Sequence, residues 1–262
     1  MEYITSRKNN YIKHLRALAS SSTYRYESGE YVCAGEKLFD EALESGAEIT
    51  SSLWIAGSKR GEAADGSAVS CPVELLEYAS PLVDSKEPVF TVGIYNREEA
   101  VDYERAIVLD GVQNPGNVGT IIRTAAAFSF DVVFLMPGCA DKYNPKTVQS
   151  AMGALFKCRV ENIDAGSLRR FLDKFSMRLF GADLMPGGIE VWDVPREKIV
   201  VAIGSEGAGL GAEVRSMLSG SFKIPISEST ESLNAAVAAA VSMWEITRGG
   251  LTRGNNTANA TR

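Results

Sequence analysis

Leu109-Asp110-Gly111-Val112-Gln113-Asn114-Pro115-Gly116-Asn117-Val118-Gly119-Thr120-Ile121-Ile122-Arg123-Thr124-Ala125 runs from an apolar strand, through a loop of Gly, Asn and Pro, into an apolar helix. A strand–loop–helix unit of this kind lets backbone amides and an Asn side chain face a ligand at the carboxyl edge of a parallel sheet. Arg123 is the odd member. It stands among Ile121, Ile122, Ala125, Ala126 and Ala127, where a guanidinium is costly without an anionic partner. Two readings stay open at this point: an arginine that snorkels or pairs with a structural carboxylate, and one that meets an anionic ligand.

Outward from this unit the pattern alternates. Strands are predicted over 106–109, 132–135, 179–182, 199–203 and 223–226, and helices over 118–128, 145–156, 168–175 and 233–248. Such alternation predicts an α/β fold whose parallel sheet is covered by helices on both faces. Gly249-Gly250 ends the last helix, and the tail 251–262 has too little apolar content to order itself. Before the unit lies a smaller α/β region. It has a helix over 10–19 with Ile12, Leu15 and Leu18 at helical intervals, a strand over 31–34, and an amphipathic helix after Gly35 that closes near Gly46. A strand over 53–56, a polar loop over 57–67, a short helix over 73–78 and a strand over 89–94 complete it. The charged segment 96–105 marks the boundary, giving a unit over 1–96, a linker over 97–105 and a larger unit over 106–250.

Two further constellations carry chemistry. Ile203-Gly204-Ser205-Glu206-Gly207-Ala208-Gly209-Leu210-Gly211 follows an apolar strand, and its glycines permit close backbone approach to a flat ligand. A dinucleotide loop is an alternative, but Gly204, Gly207, Gly209 and Gly211 do not follow GxGxxG, and the loop falls late in the chain. Ile224-Pro225-Ile226-Ser227-Glu228-Ser229-Thr230-Glu231-Ser232-Leu233-Asn234 leads into a helix of small residues, and Pro225 is unusual in a buried strand. Read alone, this last segment is an ordinary buried helix with a Ser N-cap.

In this order, the three segments resemble the three motifs of the SpoU (TrmH) family of RNA 2′-O-ribose methyltransferases, in the SPOUT superfamily. The resemblance extends to Tyr143-Asn144-Pro145-Lys146 and to Ser150-Ala151-Met152-Gly153-Ala154-Leu155-Phe156. Ile4-Thr5-Ser6-Arg7-Lys8-Asn9 and Gly35-Glu36-Lys37-Leu38 resemble the ribosomal-protein-like module with which the family binds its RNA substrate. The resemblance implies a sheet whose C-terminal segment is threaded into a trefoil knot. It also implies S-adenosyl-L-methionine held by backbone groups at Gly204, Ile224 and Leu233, with Gly209 beside them. Asn117 and Arg123 match the polar positions of the first motif, and Glu206, Ser232 and Asn234 match those of the other two. A homodimer that completes the active site across its interface is implied as well. Glu228 stands where the family usually has Gly, which bears on cofactor affinity and substrate range.

Composition bounds these expectations. The 262 residues are 45% hydrophobic and 23% charged, ordinary for a globular chain. No apolar run approaches the roughly 20 residues of a membrane helix. The N-terminus lacks the apolar core of a secretory signal. Cys33, Cys71, Cys139 and Cys158 are scattered and the one histidine is His14, so a reduced, cytoplasmic protein without a metal site is expected. The net charge of −6 counts against phosphate binding, but residues 1–25 hold Arg7, Lys8, Lys13, Arg16 and Arg25 against Glu2 alone. That cluster is either an RNA-facing patch, to which Lys146 adds a charge, or a solvated helix face. A ribose hydroxyl is a poor nucleophile, so its methylation needs a base or a charge that stabilises the alkoxide, and Arg123 is the candidate. The appended module leans towards ribosomal RNA over transfer RNA. A silent RNA-binding protein on the same fold and a nucleotide-dependent enzyme using Gly204–Gly211 are the competing classes.

Overall fold

The computed structural model describes residues 2–63, 68–82, 86–95, 102–183, 185, 187–227, 229–230 and 232–248. In the N-terminal part, β1 (Glu2–Tyr3), β2 (Glu30–Ala34), β3 (Ile49–Ile55), β4 (Ala68–Cys71) and β5 (Val89–Gly93) form a mixed sheet in the order β1-β4-β3-β5-β2. The β1, β4 and β3 strands run parallel, and β5 lies antiparallel to both β3 and β2. Around it lie α1 (Asn10–Ser20), α2 (Ser22–Ser28), α3 (Glu36–Glu44), α4 (Lys59–Ala63) and α5 (Val73–Ala79). Asn9 caps α1, its side chain accepting from the Tyr11 amide. Strand alternation splits β2 between two cores. Val32 and Ala34 pack with Ile12, Leu15, Leu18, Leu75 and Leu76, whereas Tyr31 and Cys33 join the core shared with the C-terminal part.

In the C-terminal part, β6 (Arg105–Asp110), β7 (Val132–Leu135), β8 (Arg159–Asn162), β9 (Arg178–Ala182), β10 (Ile189–Glu190), β11 (Ile199–Gly204) and β12 (Gly220–Lys223) form a sheet in the order β10-β12-β9-β11-β6-β7-β8. Every pairing is parallel. Ile199-Val200-Val201-Ala202-Ile203 is central and buried on both faces, as its continuous apolar run requires. Ile199, Val201 and Ile203 face the core built with α6 (Pro115–Ala127), α7 (Pro145–Ala151) and α10 (Ala235–Thr247). Val200 and Ala202 face α8 (Ala165–Lys174) and α9 (Ala212–Arg215). Helices thus cover both faces, as the alternation predicts. A Cβ on Gly119 would lie 2.4 Å from the Thr147 carbonyl oxygen, so this glycine is what lets α6 and α7 touch.

Several expectations need correction. The polar loop expected over 57–67 contains α4, while 64–67 lie outside the described residues. The helix expected over 145–156 stops at Ala151, because Met152 and Gly153 turn left-handed (φ 48 and 81) before a short 3-10 turn, Ala154–Phe156. The strand expected over 223–226 is instead Gly220–Lys223. Pro225 therefore never enters the sheet, which fits a residue with no N–H to donate. The last helix is capped by Asn234, not by a serine. Arg25 is no part of a basic surface: it is buried 2.5 Å from Asp141 and donates to the Leu18 carbonyl at 2.6 Å. With Tyr31 stacked on Tyr143 at 4.6 Å, this pair locks the two sheets together. Most of the boundary segment 96–105, the glycines at 249–250 and the tail 251–262 lie outside the described residues.

Candidate functional site

The carboxyl ends of β9, β11 and β12 open into a cleft of about 270 Å³. Gly204, Ser205, Glu206 and Gly209 form one wall, Phe222, Ile224 and Ile226 a second, and Ser232, Leu233, Ala235 and Ala238 a third. Two loops and a helix start from separate elements thus become one surface. All four backbone positions expected to hold a ligand (Gly204, Gly209, Ile224 and Leu233) line it. Gly204 is required by contact. A Cβ there would sit 2.2 Å from the Gly209 carbonyl carbon and 2.5 Å from the Leu210 nitrogen. Beyond it Ser205 and Gly209 exchange backbone hydrogen bonds of 3.2 and 3.0 Å, with Gly209 left-handed at φ 66. The Gly211 amide donates to Asp110 Oδ2 at 2.6 Å, tying the loop to the end of β6.

Beside the cleft, three side chains from the three motifs meet. Asn234 caps α10: its Oδ1 accepts from the amides of Ala236 (2.9 Å) and Val237 (3.4 Å). The cap turns its Nδ2 outward, where it donates to Asn117 Oδ1 at 3.2 Å and Glu206 Oε1 at 3.4 Å. Asn117 Nδ2 also donates to Glu206 Oε1. Asn114 and Pro115 start α6 one turn earlier, the Asn114 side chain accepting from Gly116 at 2.8 Å and so setting the orientation of Asn117.

Ser232 lines the cleft without joining this cluster, and Glu228 lies outside the described residues. Arg123 is neither buried nor paired. It is exposed and makes no hydrogen bond or ion pair among the described residues. The reason is helical period: α6 turns Val118, Ile121, Ile122 and Ala125 inward, which leaves position 123 outside. A cost of burying it therefore gives no reason for its presence. It lies about 9 Å along the axis from Asn117 and about 120° around it. Asp183, at the end of β9, lines the cleft and was not legible as a site residue, because nothing in its sequence context marks it. Cys139, close to the first motif, donates to the Leu109 carbonyl at 3.2 Å, and burial pushes its thiol up, away from thiolate chemistry. Arg7, Lys8, Lys13, Arg16 and Lys146 are all exposed, and Arg7 and Arg16 lie over the Tyr78 ring at 4.4 and 5.1 Å.

A parallel α/β sheet with a glycine-walled cleft at its carboxyl edge, flanked by an Asn–Glu–Asn cluster, is the arrangement of a ligand-binding α/β protein whose cleft suits a flat, nucleoside-like group. The particular family follows from sequence: residues 104–244 match the SpoU rRNA Methylase family, and the chain belongs to it. Over 249 residues it is 28% identical to the 23S rRNA (guanosine(2553)-2′-O)-methyltransferase RlmP of Bacillus subtilis, covering 94% of this chain and 99% of that one. The SpoU methyltransferase AviRb of Streptomyces viridochromogenes, solved with AdoMet, superposes with a TM-score of 0.81 at 25% identity, covering 92% of this chain and 98% of that one. An AdoMet-bound rRNA methyltransferase from Sinorhizobium meliloti shares the fold with a TM-score of 0.85 at 23% identity, covering 96% and 99%.

Proposed function

We propose that this protein transfers a methyl group from S-adenosylmethionine to a ribose 2′-hydroxyl of RNA, with ribosomal RNA as the substrate class. The observation that carries the reading is a cleft lined by the second and third motifs, with Asn117 of the first motif hydrogen-bonded beside it to Glu206 and Asn234. The cleft fits an adenosine. Gly204 leaves room where any side chain would strike backbone, and Ile224, Leu233, Ala235 and Ala238 offer apolar walls. When bound, S-adenosylmethionine supplies an electrophilic methyl group. Gly204, Gly209, Ile224 and Leu233 hold it through their backbone, and the Asn117–Glu206–Asn234 cluster with Ser232 orients the groups at the reacting end. Guanidinium is not deprotonated in proteins, so Arg123 acts by charge, orienting RNA phosphate and stabilising the developing alkoxide.

Residues 1–96 form the RNA-binding module in this reading, with Arg7, Lys8, Lys13 and Arg16 towards the backbone phosphates and Lys146 adding a charge from the larger domain. The knotted threading belongs to the same proposal. It is supported by Ile224, Ile226, Ser232 and Leu233, which line the same cleft as the Gly204 loop. So does the homodimer. On α10, Val237 and Trp244 are 47% and 54% exposed and seven residues apart, hence on one face, and Trp244 packs against Phe128 at the end of α6. In this reading a second copy seated there supplies its exposed Arg123 to the site of its partner. Among the described residues no helix is long and apolar enough to cross a membrane, and the proposed location is the cytoplasm, where ribosomes are modified. The test is methyl transfer from labelled S-adenosylmethionine to ribosomal RNA, with the modified ribose mapped. Arg123→Ala is expected to abolish transfer and leave cofactor binding by calorimetry intact; wild-type turnover in that variant sinks the assignment.

A further inference from the structure

Asp183 is the one carboxylate lining the cleft that the Asn117–Glu206–Asn234 cluster does not use, among the described residues. It stands just past the end of β9, its backbone amide donating to the Phe222 carbonyl at 3.1 Å. Arg215, at the end of α9, donates through Nε to Asp183 Oδ2 at 2.7 Å. The side chain is only 16% exposed. Its Oδ1 has no partner among the described residues, so a held carboxylate keeps one acceptor oxygen spare in a ligand-sized cleft. The cleft's other charged groups are otherwise engaged: Lys223 pairs with Glu190 at 3.1 Å, and Glu206 takes the two asparagine amides.

Strand order says which part of a ligand Asp183 meets. The β9 strand lies between β12 and β11, whereas β6, which leads to Asn117, lies on the opposite edge of β11. Asp183 thus reaches the cleft from the β9 side of β11, and Asn117 approaches from the β6 side. With the methyl group at the cluster, the far side receives the nucleoside. A carboxylate fixed by a guanidinium is suited to accept a hydrogen bond from a ribose hydroxyl, as acidic residues do at other sheet edges.

We propose that Asp183, positioned by Arg215, accepts a hydrogen bond from a ribose hydroxyl of the methyl donor. This rests on the methyltransferase reading above. The test is calorimetry on the full chain with S-adenosylmethionine, S-adenosylhomocysteine and the 2′-deoxy and 3′-deoxy analogues of the latter. The wild type is expected to bind at least one deoxy analogue about tenfold or more weakly than S-adenosylhomocysteine, the size of a charge-assisted hydrogen bond. Asp183→Ala is expected to weaken S-adenosylhomocysteine by a similar factor and bind that deoxy analogue as the wild type does, so the gap closes. A gap of unchanged size in the variant overturns the proposal. So does a loss confined to S-adenosylmethionine, which would mean that the carboxylate faces the donor's positive charge. If Asp183→Ala does not fold, the same comparison on Asp183→Asn decides: a narrowed gap supports the proposal and an unchanged one overturns it. A wild type that binds neither S-adenosylmethionine nor S-adenosylhomocysteine defeats the methyltransferase reading itself, an outcome distinct from a persistent gap.

Discussion

Gly204→Ala adds a single methyl group where three backbone atoms already stand: Gly209 C at 2.2 Å, Gly209 O at 2.4 Å and Leu210 N at 2.5 Å. Ordinary contact begins near 3.4 Å, so something must move by about 1 Å. The strand cannot yield readily, because β11 is paired along both edges, to β6 and to β9. The Ser205–Gly209 turn yields instead and puts its two hydrogen bonds of 3.2 and 3.0 Å at risk. Overpacking of this kind costs about 1–3 kcal/mol, in line with two hydrogen bonds at about 1 kcal/mol each. The same shift moves the wall that carries Ser205, Glu206 and Gly209. A displacement of about 1 Å next to a reaction centre costs about 100-fold in rate. The expected result is a melting temperature lowered by about 2–4 °C per kcal/mol, affinity for S-adenosylmethionine at least about tenfold weaker and methyl transfer close to background. Gly207→Ala is the control, because a Cβ there meets nothing within 4 Å; it is expected to behave as the wild type. Calorimetry and thermal melting of both variants decide the matter. A Gly204→Ala protein with wild-type affinity and melting temperature would refute the argument that this cleft is shaped by that close approach.

Asn234→Asp keeps an oxygen for the α10 cap but loses the Nδ2 that donates to Asn117 and Glu206. Its stability is expected to stay near wild type while methyl transfer falls, whereas Asn234→Ala also loses about 1 kcal/mol of capping; equal activity in Asn234→Asp and the wild type would count against the cluster. Arg25→Ala removes a buried guanidinium and leaves the half-buried Asp141 without its ion pair, and is expected to cost about 2–3 kcal/mol, read as a shift in denaturant midpoint. A loss below about 1 kcal/mol would show that the pair does not lock the two sheets. For the dimer, inactive Arg123→Ala and Asn234→Ala chains mixed after co-refolding are expected to recover part of the activity, because one site of the mixed dimer receives both intact residues. No recovery in a mixture shown by sedimentation to contain the dimer would place Arg123 in its own chain's site.

What the sequence determined by itself is what local chemistry can encode. The run Ile199–Ile203 has to be a strand buried on both faces. Pro145 has to start a helix, and the glycine-rich run 204–211 permits close backbone approach, as Gly204 shows; the helix expected from Val118 in fact begins a turn earlier, at Pro115. The exposure of Arg123 was legible too, since Val118, Ile121, Ile122 and Ala125 already claim the inner face; its apolar neighbours in sequence mislead because they are not its neighbours on the helix. Pro225 misleads in a similar way. Apolar residues flank it, but a missing N–H keeps it out of the ladder, and the strand forms three residues earlier around Phe222. Tertiary structure alone decided that Asn117, Glu206 and Asn234 share one hydrogen-bonded cluster across 89 and 117 residues of chain. It also decided that Arg25 is a buried lock and no RNA contact, and that Asp183 faces the cleft. The physical reason is the same in each case. A side chain's partner is set by the order in which strands join the sheet, and β9 and β6 reach either edge of β11 although both lie before it in sequence.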